Sequence, residues 1–462
     1  MKSFSGYDNK NVIVLGYGRS GKSAVDALVR LNANVTLTTN EVFSDEEAEQ
    51  KYKGWGVEIV DGHHPVNLLN NADLIVKNPG IPYTVPFLKE AADRNIPIIT
   101  EVEIAHHISE APIYALTGTN GKTTCTYLLG EMLEQNNKHP ILCGNIGYPA
   151  TDAAMEAADN DSLIMELSSF QLMGIREFRP NIAVVTNIYE AHLDYHGSVE
   201  EYRNAKLSIF KNMTEDDLLI FNKKQAHLLD GHDIKCRIEY FDADGPADAC
   251  TDNGQLIVHG KVVMPIKDIV LKGDHNIENI LATLLAAHAH GVSIDAVRKT
   301  LTTFSGIAHR LERLGAAEGV MYYNDSKATN NLATSFALKS FDTPVIWMAG
   351  GLDRGQTLDE LMQYAGHVKH IITFGETAAK FTALAEKMNV PSELTDNPYT
   401  GVALAHRHAV PGDTVLFSPA CASWDQYKDY ERRGDHFKEG FAKLQSAKHY
   451  DNLYYSALAR AK

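Results

Sequence analysis

Basic charge is in short supply in this chain. Its 43 lysines and arginines are outnumbered by 59 acids, and the formal net charge is −16 at pH 7. Binding a nucleic-acid backbone needs a basic surface, so a nucleic-acid partner is not expected, whereas a local cationic pocket for one nucleotide remains compatible. Cysteine is scarce as well. Cys125, Cys143, Cys236, Cys250 and Cys421 are scattered, odd in number and never spaced C-x-x-C. That argues against a disulfide framework and a zinc knuckle, and suits a reducing compartment. No apolar run approaches a bilayer span, and no apolar segment follows Lys2 before the turn residues Gly6 to Asn9. The expected setting is therefore cytoplasmic, without a membrane partner. Short internal repeats and low-complexity tracts are also missing.

What is present is enough for several cores: 462 residues, 44% of them hydrophobic, a length that suggests roughly three domains. Three α/β units can be traced, with expected boundaries 1–100, 101–307 and 308–462. The first opens with the apolar run 11–15, a glycine turn and a helix over about 22–31. Strands at 35–37, 73–76 and 97–99 and a helix at 86–94 complete it. The second has strands at 162–166, 182–186 and 217–220, alternating residues at 255–258 that look like antiparallel insertion, and a helix over 276–290. The third has strands at 344–348, 370–374 and 414–417. Strands alternating with helical patterns predict an α/β fold with parallel sheets in all three: Rossmann-like, P-loop ATPase-like with a small antiparallel insertion, then Rossmann-like again. The tail after about Lys443 reads as helix or appendage.

The most telling stretch is TGTNGKTT at 117–124, set between an apolar run and a helical pattern. Gly118 and Gly121 let Thr119 and Asn120 turn their backbone N–H groups toward an anion. Lys122 adds a point charge, and Thr123, followed by Thr124, offers a hydroxyl to a phosphate-bound Mg²⁺. The standard G-x-x-x-x-G-K-[ST] loop would need glycine at 116, which is leucine. This shorter loop points to a narrower class of ATP-using enzymes. Downstream, Glu166 ends a strand, where a carboxylate beside a phosphate loop suits Mg²⁺; capping a helix or facing solvent is its plainer role. His192 and His196 have i,i+4 spacing, but Leu193 replaces the glutamate of a zinc-hydrolase motif, leaving one histidine near metal and phosphates. Asn145 lies in a further glycine turn. Arg310, Asp325 and Lys327 bracket a polar stretch that opens the third unit.

A second glycine motif, Gly16-x-Gly18-x-x-Gly21, fits a dinucleotide fingerprint. The acid expected near the end of the second strand is absent, with Thr38 and Thr39 there instead. Three readings stand: an NAD(P) site, a turn for tight strand–helix packing, or another diphosphate on the helix N-terminus.

These motifs together resemble the Mur ligase family over nearly the whole chain. The resemblance rests on TGTNGKTT, GNIG at 144–147, ELSSFQL at 166–172, YRNAKLSIF at 202–210, GDHNIEN at 273–279, AHR at 308–310, NDSKATN at 324–330 and SPACASWDQYKDYERRGDHF at 418–437. The last two are the specific ones, and they resemble the branch that adds D-glutamate to UDP-N-acetylmuramoyl-L-alanine. Asp396-Asn-Pro-Tyr399 is similar to a signature of ligases for other amino acids, with tyrosine in place of its arginine.

The resemblance implies ATP and two Mg²⁺ ions as cofactors, and a monomer acting on small molecules in peptidoglycan precursor synthesis. It implies that Lys122 and Thr123 hold phosphates and Mg²⁺, that Glu166 and His192 ligate metal, and that Lys206 is carbamylated and ligates a second ion. It places Asn276 and Asn279 near adenine, and Arg310, Asp325 and Lys327 on the nucleotide. Arg19, Ser20, Gly80 and Asn145 would meet the UDP substrate, and Thr329, Arg354, Ser423 and Tyr430 the D-glutamate. Departures are Asn78 where the family often has serine, Thr38, Thr39 and Asn40 where some members carry an acid, Arg354 for a lysine, and Tyr430 for a phenylalanine. The rivals are a related ligase of folylpolyglutamate synthetase type, an NAD(P) dehydrogenase, and a non-catalytic nucleotide-binding regulator.

Overall fold

Short runs of β-branched and aliphatic residues, buried on both faces, set the architecture, because such strands are stable only with helices on either side. The computed structural model describes residues 1–146, 148–304, 306–341 and 343–460, and for Leu332, Phe336 and residues 447–460 the backbone alone. The first sheet has five parallel strands in the order Glu58–Val60, Asn34–Thr38, Asn11–Leu15, Leu74–Lys77, Ile98–Ile99. Helix Arg19–Arg30 starts three residues earlier than the sequence suggests, so Arg19 and Ser20 fall in its first turn.

The second sheet has nine strands. From one edge run His139–Gly144, Asp161–Glu166, Ile113–Thr117, Ile182–Val185, Leu218–Asn222, Arg237–Asp242 and Ala249–Asp252, all parallel. Gln255–Val258 and Lys261–Pro265 then extend it antiparallel, so the expected insertion is the sheet's own edge. The third sheet runs Glu312–Ala317, Val320–Asn324, Thr414–Phe417, Val345–Gly350, Val368–Phe374, Ser392–Leu394. Its first pair is antiparallel, which corrects the expectation of a purely parallel sheet. The hairpin is closed by Glu318 (φ 51°) and Gly319 (φ 78°). Two residues at positive φ match the twist of paired strands, but a glutamate there gives little signal in sequence.

Two compact units result. One holds Met1–Ile269 with His275–Phe304, and so carries the first two sheets; the other holds Val270–Asp274 and the chain from 306 onward. Within the first unit a continuous core joins the sheets through helices Glu101–Ile108 and Ala150–Glu156. The Thr151 hydroxyl donates to buried Glu101 at 2.6 Å, and Ser23 to Asp152 at 2.6 Å. The segment after Lys443 continues the helix Tyr430–Arg460. Among the described residues no helix is long and apolar enough to cross a membrane.

Candidate active site

In the first unit Asn145, Glu166, the phosphate loop and His192 lie at or after the carboxyl ends of four adjacent strands of the nine-stranded sheet. Lys206, Asn276 and Asn279 lie on helices, and Arg19, Ser20 and Gly80 follow strands of the first sheet. The phosphate loop leaves strand Ile113–Thr117 and enters helix Lys122–Gln135. Gly118 has φ 148° and Gly121 φ 83°, conformations open to glycine. Their missing side chains also leave room: a Cβ at Gly118 would stand 2.0 Å from Thr186 Oγ1, and one at Gly121 2.0 Å from Asn279 Oδ1. Asn279 donates to Asn276 Oδ1 at 3.1 Å, so both asparagines are fixed under the loop.

The loop is held from the neighbouring strand end. Thr119 N donates to Asn187 O at 2.7 Å, Asn120 N to Asn187 Oδ1 at 2.9 Å, and Thr186 Oγ1 to Asn120 O at 2.5 Å. Thr119 Oγ1 lies 3.0 Å from Tyr202 OH and donates to Tyr189 O at 3.1 Å. Thr186, Asn187 and Tyr202 were not singled out in sequence. A polar pair closing the apolar strand Ile182–Val185 was the available signal.

Two lysines converge on one carbonyl. Lys122 Nζ donates to Gly118 O at 2.8 Å and to Thr119 O at 3.0 Å, and Lys206 Nζ donates to Gly118 O at 2.7 Å. Lys206 is buried and faces the Tyr202 ring at 4.9 Å. Burial first, then the charge of Lys122, push its amine well below the ordinary lysine value, against the opposing pull of Glu166. Glu166 is buried at the end of its strand. Its Oε1 accepts from Asn145 Nδ2 at 2.8 Å, while Oε2 is buried without a hydrogen-bond partner. An orphan carboxylate oxygen of this kind fits a cation. Thr123 and Thr124 are buried in the first helical turn.

His192 sits in a left-handed conformation (φ 54°), its ring 5.1 Å from Phe170 and 6.1 Å from Tyr202. Burial and the nearby Lys206 lower its pKa, Asp194 opposing and Lys122 adding a smaller decrease, which favours the neutral imidazole that metals bind. His196 is instead engaged in packing: it stacks on Phe170 and meets Ser169 Oγ at 2.9 Å.

A cavity of about 240 Å³ is lined by Arg19, Ser20, Gly80 and Asn145, together with Asn78 and Phe170. The four residues expected to meet the UDP substrate thus share one cavity, although they come from two sheets. Gly147, the last residue of the GNIG motif, lies outside the described residues. Nearby, Tyr195, absent from the sequence reading, donates to Ile81 O at 2.9 Å. Where a dinucleotide fold wants an acid, Thr38 is buried and bonds His64 Nδ1 at 2.9 Å. Asn397 of the Asp396–Tyr399 motif caps helix Pro398–His408 by accepting from Thr400 N at 3.1 Å.

In the second unit Asp325, Lys327, Thr329, Arg354, Ser423 and Tyr430 follow the carboxyl ends of three adjacent strands, and Arg310 precedes the antiparallel strand Glu312–Ala317. Asp325 is buried after Val320–Asn324, accepting from Ser418 Oγ at 2.8 Å and Leu311 N at 3.1 Å. Burial raises its pKa to about 7, with Ser418, Leu311, Arg310 and Arg433 opposing. Lys327 Nζ lies 5.6 Å from the Tyr430 ring, and Arg354 stacks on exposed Trp424 at 4.7 Å. Ser423 is buried and accepts through its carbonyl from Tyr427 N at 2.8 Å, and Thr329 is half-buried. Arg433, missed in sequence because an arginine at a helix start reads as exposed, is fully buried. It donates to Cys421 O at 2.9 Å and Ser326 O at 2.8 Å, tying two of these loops together.

A sheet-end phosphate loop backed by a buried lysine and a buried carboxylate, with a more exposed histidine beside them, defines a nucleotide-using enzyme. Residues 10–100 match the Mur ligase MurD-like N-terminal domain, 116–287 the Mur ligase middle domain and 309–421 the Mur ligase glutamate ligase domain. The chain belongs to the Mur ligase family. It is 50% identical over 442 residues, 96% of this chain and 98% of the relative, to a UDP-N-acetylmuramoylalanine--D-glutamate ligase of Staphylococcus carnosus. The enzymes of the same name from Macrococcus caseolyticus and Staphylococcus aureus are 49% identical (95% and 98% covered) and 47% identical (96% and 98% covered). Its fold is shared with UDP-N-acetylmuramate-alanine ligase from Thermotoga maritima, at TM-score 0.56 and 17% identity over 95% of this chain and 99% of that one. A MurF ligase from the same organism, in complex with ADP, gives 0.57 and 16% over 95% and 96%.

Proposed function

We propose that this chain is an ATP-dependent ligase that joins D-glutamate to UDP-N-acetylmuramoyl-L-alanine in peptidoglycan precursor synthesis. The observation that carries it is the buried centre where Glu166 keeps an unpaired oxygen beside a loop whose glycines leave room for phosphate. Near-complete coverage of the relatives supports the substrate assignment. Regions 1–100, 101–307 and 308–462 serve as substrate, ATP and amino-acid domains. The enzyme acts as a cytoplasmic monomer.

The terminal carboxylate of the UDP substrate attacks the γ-phosphorus of ATP, forming an acyl phosphate as the bond to ADP breaks. The D-glutamate amine then attacks the activated carbonyl; the amide forms, the amine loses its proton and phosphate leaves. Thr123, Glu166, His192 and carbamylated Lys206 would hold two Mg²⁺ ions, which when bound would supply positive charge to offset that of the phosphate oxygens. Lowered in pKa, the Lys206 amine reacts neutral with CO₂, giving the carbamate and releasing a proton. Lys122 and the amides of Gly118, Gly121 and Thr124 bind the phosphates, because charge-assisted bonds outcompete the lysine's present carbonyl partners. Thr119 and Asn120, expected to turn their N–H groups toward the anion, donate them to Asn187 instead and so hold the loop around the phosphates. Asn276, Asn279, Arg310, Asp325 and Lys327 hold the nucleotide. Arg19, Ser20, Gly80 and Asn145 orient the UDP substrate, and Thr329, Arg354, Ser423 and Tyr430 the D-glutamate. An arginine at 354 keeps the carboxylate contact and can make it bidentate.

The test is phosphate release with UDP-N-acetylmuramoyl-L-alanine against D-glutamate, L-lysine, diaminopimelate and L-alanine. Release driven by D-glutamate alone is expected, and abolished by Lys122→Ala. Release that ignores all four amino acids, or near-normal turnover of Lys122→Ala, would sink the proposal.

A further inference from the structure

One cluster of metal-binding side chains takes no part in the ligase reading. His370 lies near the amino end of strand Val368–Phe374, Glu393 on the edge strand Ser392–Leu394, and His408 at the last position of helix Pro398–His408. Apart from Arg310, the residues proposed for nucleotide and D-glutamate in this unit follow the strands' carboxyl ends instead. One ligand atom from each of the three side chains lies within 4.8 Å of the others. His408 Nε2 is 2.7 Å from Glu393 Oε2, and the two imidazoles stack 3.9 Å apart. His370 is 7% exposed, and its Nε2 has no hydrogen-bond partner. A buried ring nitrogen left unpaired calls for an explanation.

We propose that His370, Glu393 and His408 form a binding site for one divalent transition-metal ion of the zinc type. Two imidazoles and a carboxylate make a three-ligand set of the kind Zn²⁺ accepts, with water in the fourth position. Nitrogen-rich donors favour Zn²⁺, Cu²⁺ or Ni²⁺ over Mg²⁺, so the ion that ATP chemistry requires does not compete here. Lone pairs lie in the ring planes, so the stacked imidazoles must turn to converge on one ion. His408 has the room: it ends its helix, and its side chain is 31% exposed. Arg407, 65% exposed and 3.7 Å from Glu393, can swing outward. A bound ion would clamp the sheet's edge strand to the helix end beside it.

Equilibrium dialysis of the full chain with Zn²⁺ under saturating Mg²⁺ tests this, comparing wild type with His408→Ala and Glu393→Gln. His408 is chosen first because removing His370 opens a cavity in the sheet. Wild type is expected to hold one more tightly bound Zn²⁺ per chain than either variant. Zn²⁺ should raise the Tm of wild type by more than that of either variant. The comparison is a difference, since the phosphate centre also attracts cations. Metal-free Tm values and Mg²⁺-dependent ligase turnover should match wild type, showing that the variants fold. Equal Zn²⁺ stoichiometry and affinity in all three proteins would overturn the site.

Discussion

Replacing Gly118 by alanine puts one methyl group where the loop has no room for it. The backbone there has φ 148°, which an L side chain rarely adopts, and holding alanine in such a region costs about 1–3 kcal/mol. The new Cβ would meet Thr186 Oγ1 at 2.0 Å, and Asn187 O and N at 3.1 and 3.2 Å. Thr186 can rotate only by giving up Asn120 O, and Asn187 presents backbone that cannot rotate away. The loop must therefore move off the two residues that hold it. Its carbonyl carries both Lys122 and Lys206 with it. A displacement of about 1 Å in reacting groups costs roughly 100-fold in rate, equivalent to about 2.7 kcal/mol in the barrier. Steady-state phosphate release and a thermal scan should show kcat/KM for ATP down about 100-fold, with at most about 3 kcal/mol of stability lost. Turnover within about threefold of wild type, with an unchanged Tm, would show that the loop does not depend on the Thr186–Asn187 clamp.

Three further outcomes follow from the same geometry. Lys206→Ala should lose activity and regain part of it with added short-chain carboxylic acids, which replace the carbamate; an unaffected mutant removes that role. Asp325 has a native pKa of about 7, above the unfolded value of about 3.9. The native state therefore binds the extra proton, and this group's stabilising contribution, complete below about pH 4, is lost as pH rises through about 7. The span is on the order of 4 kcal/mol, and Asp325→Asn should flatten the fall in urea stability between pH 5 and 8; an unchanged slope assigns it elsewhere. Arg433→Met should leave the carbonyls of Ser326 and Cys421 unpaired, costing about 3 kcal/mol. Denaturation within about 0.5 kcal/mol of wild type would mean that water replaces the guanidinium.

The parallel strands were legible because five-residue apolar runs ending in glycine or polar loops have few other solutions. The phosphate loop was legible for the same reason, its chemistry being contiguous in sequence. The hairpin at Glu318–Gly319 was not, since its turn lacks the usual asparagine. A lysine in a helical stretch reads as solvated, and only the resemblance marked Lys206 otherwise. In the fold it is buried against Gly118, 88 positions away. Arg433 failed to stand out on the same grounds: burial of a charged side chain depends on carbonyls contributed by distant loops.

The sequence by itself determined the three-sheet α/β plan, the anion-binding loop and the family, because each is carried by local pattern or contiguous motif. Tertiary structure decided what those motifs become. It brought Thr186 and Asn187 under the loop, left one oxygen of Glu166 unpaired and drove the Lys206 amine down in pKa. It also gathered Arg19, Gly80 and Asn145 around one cavity. Desolvation and hydrogen-bond satisfaction are properties of packed neighbours, and a linear chain does not state which neighbours those are.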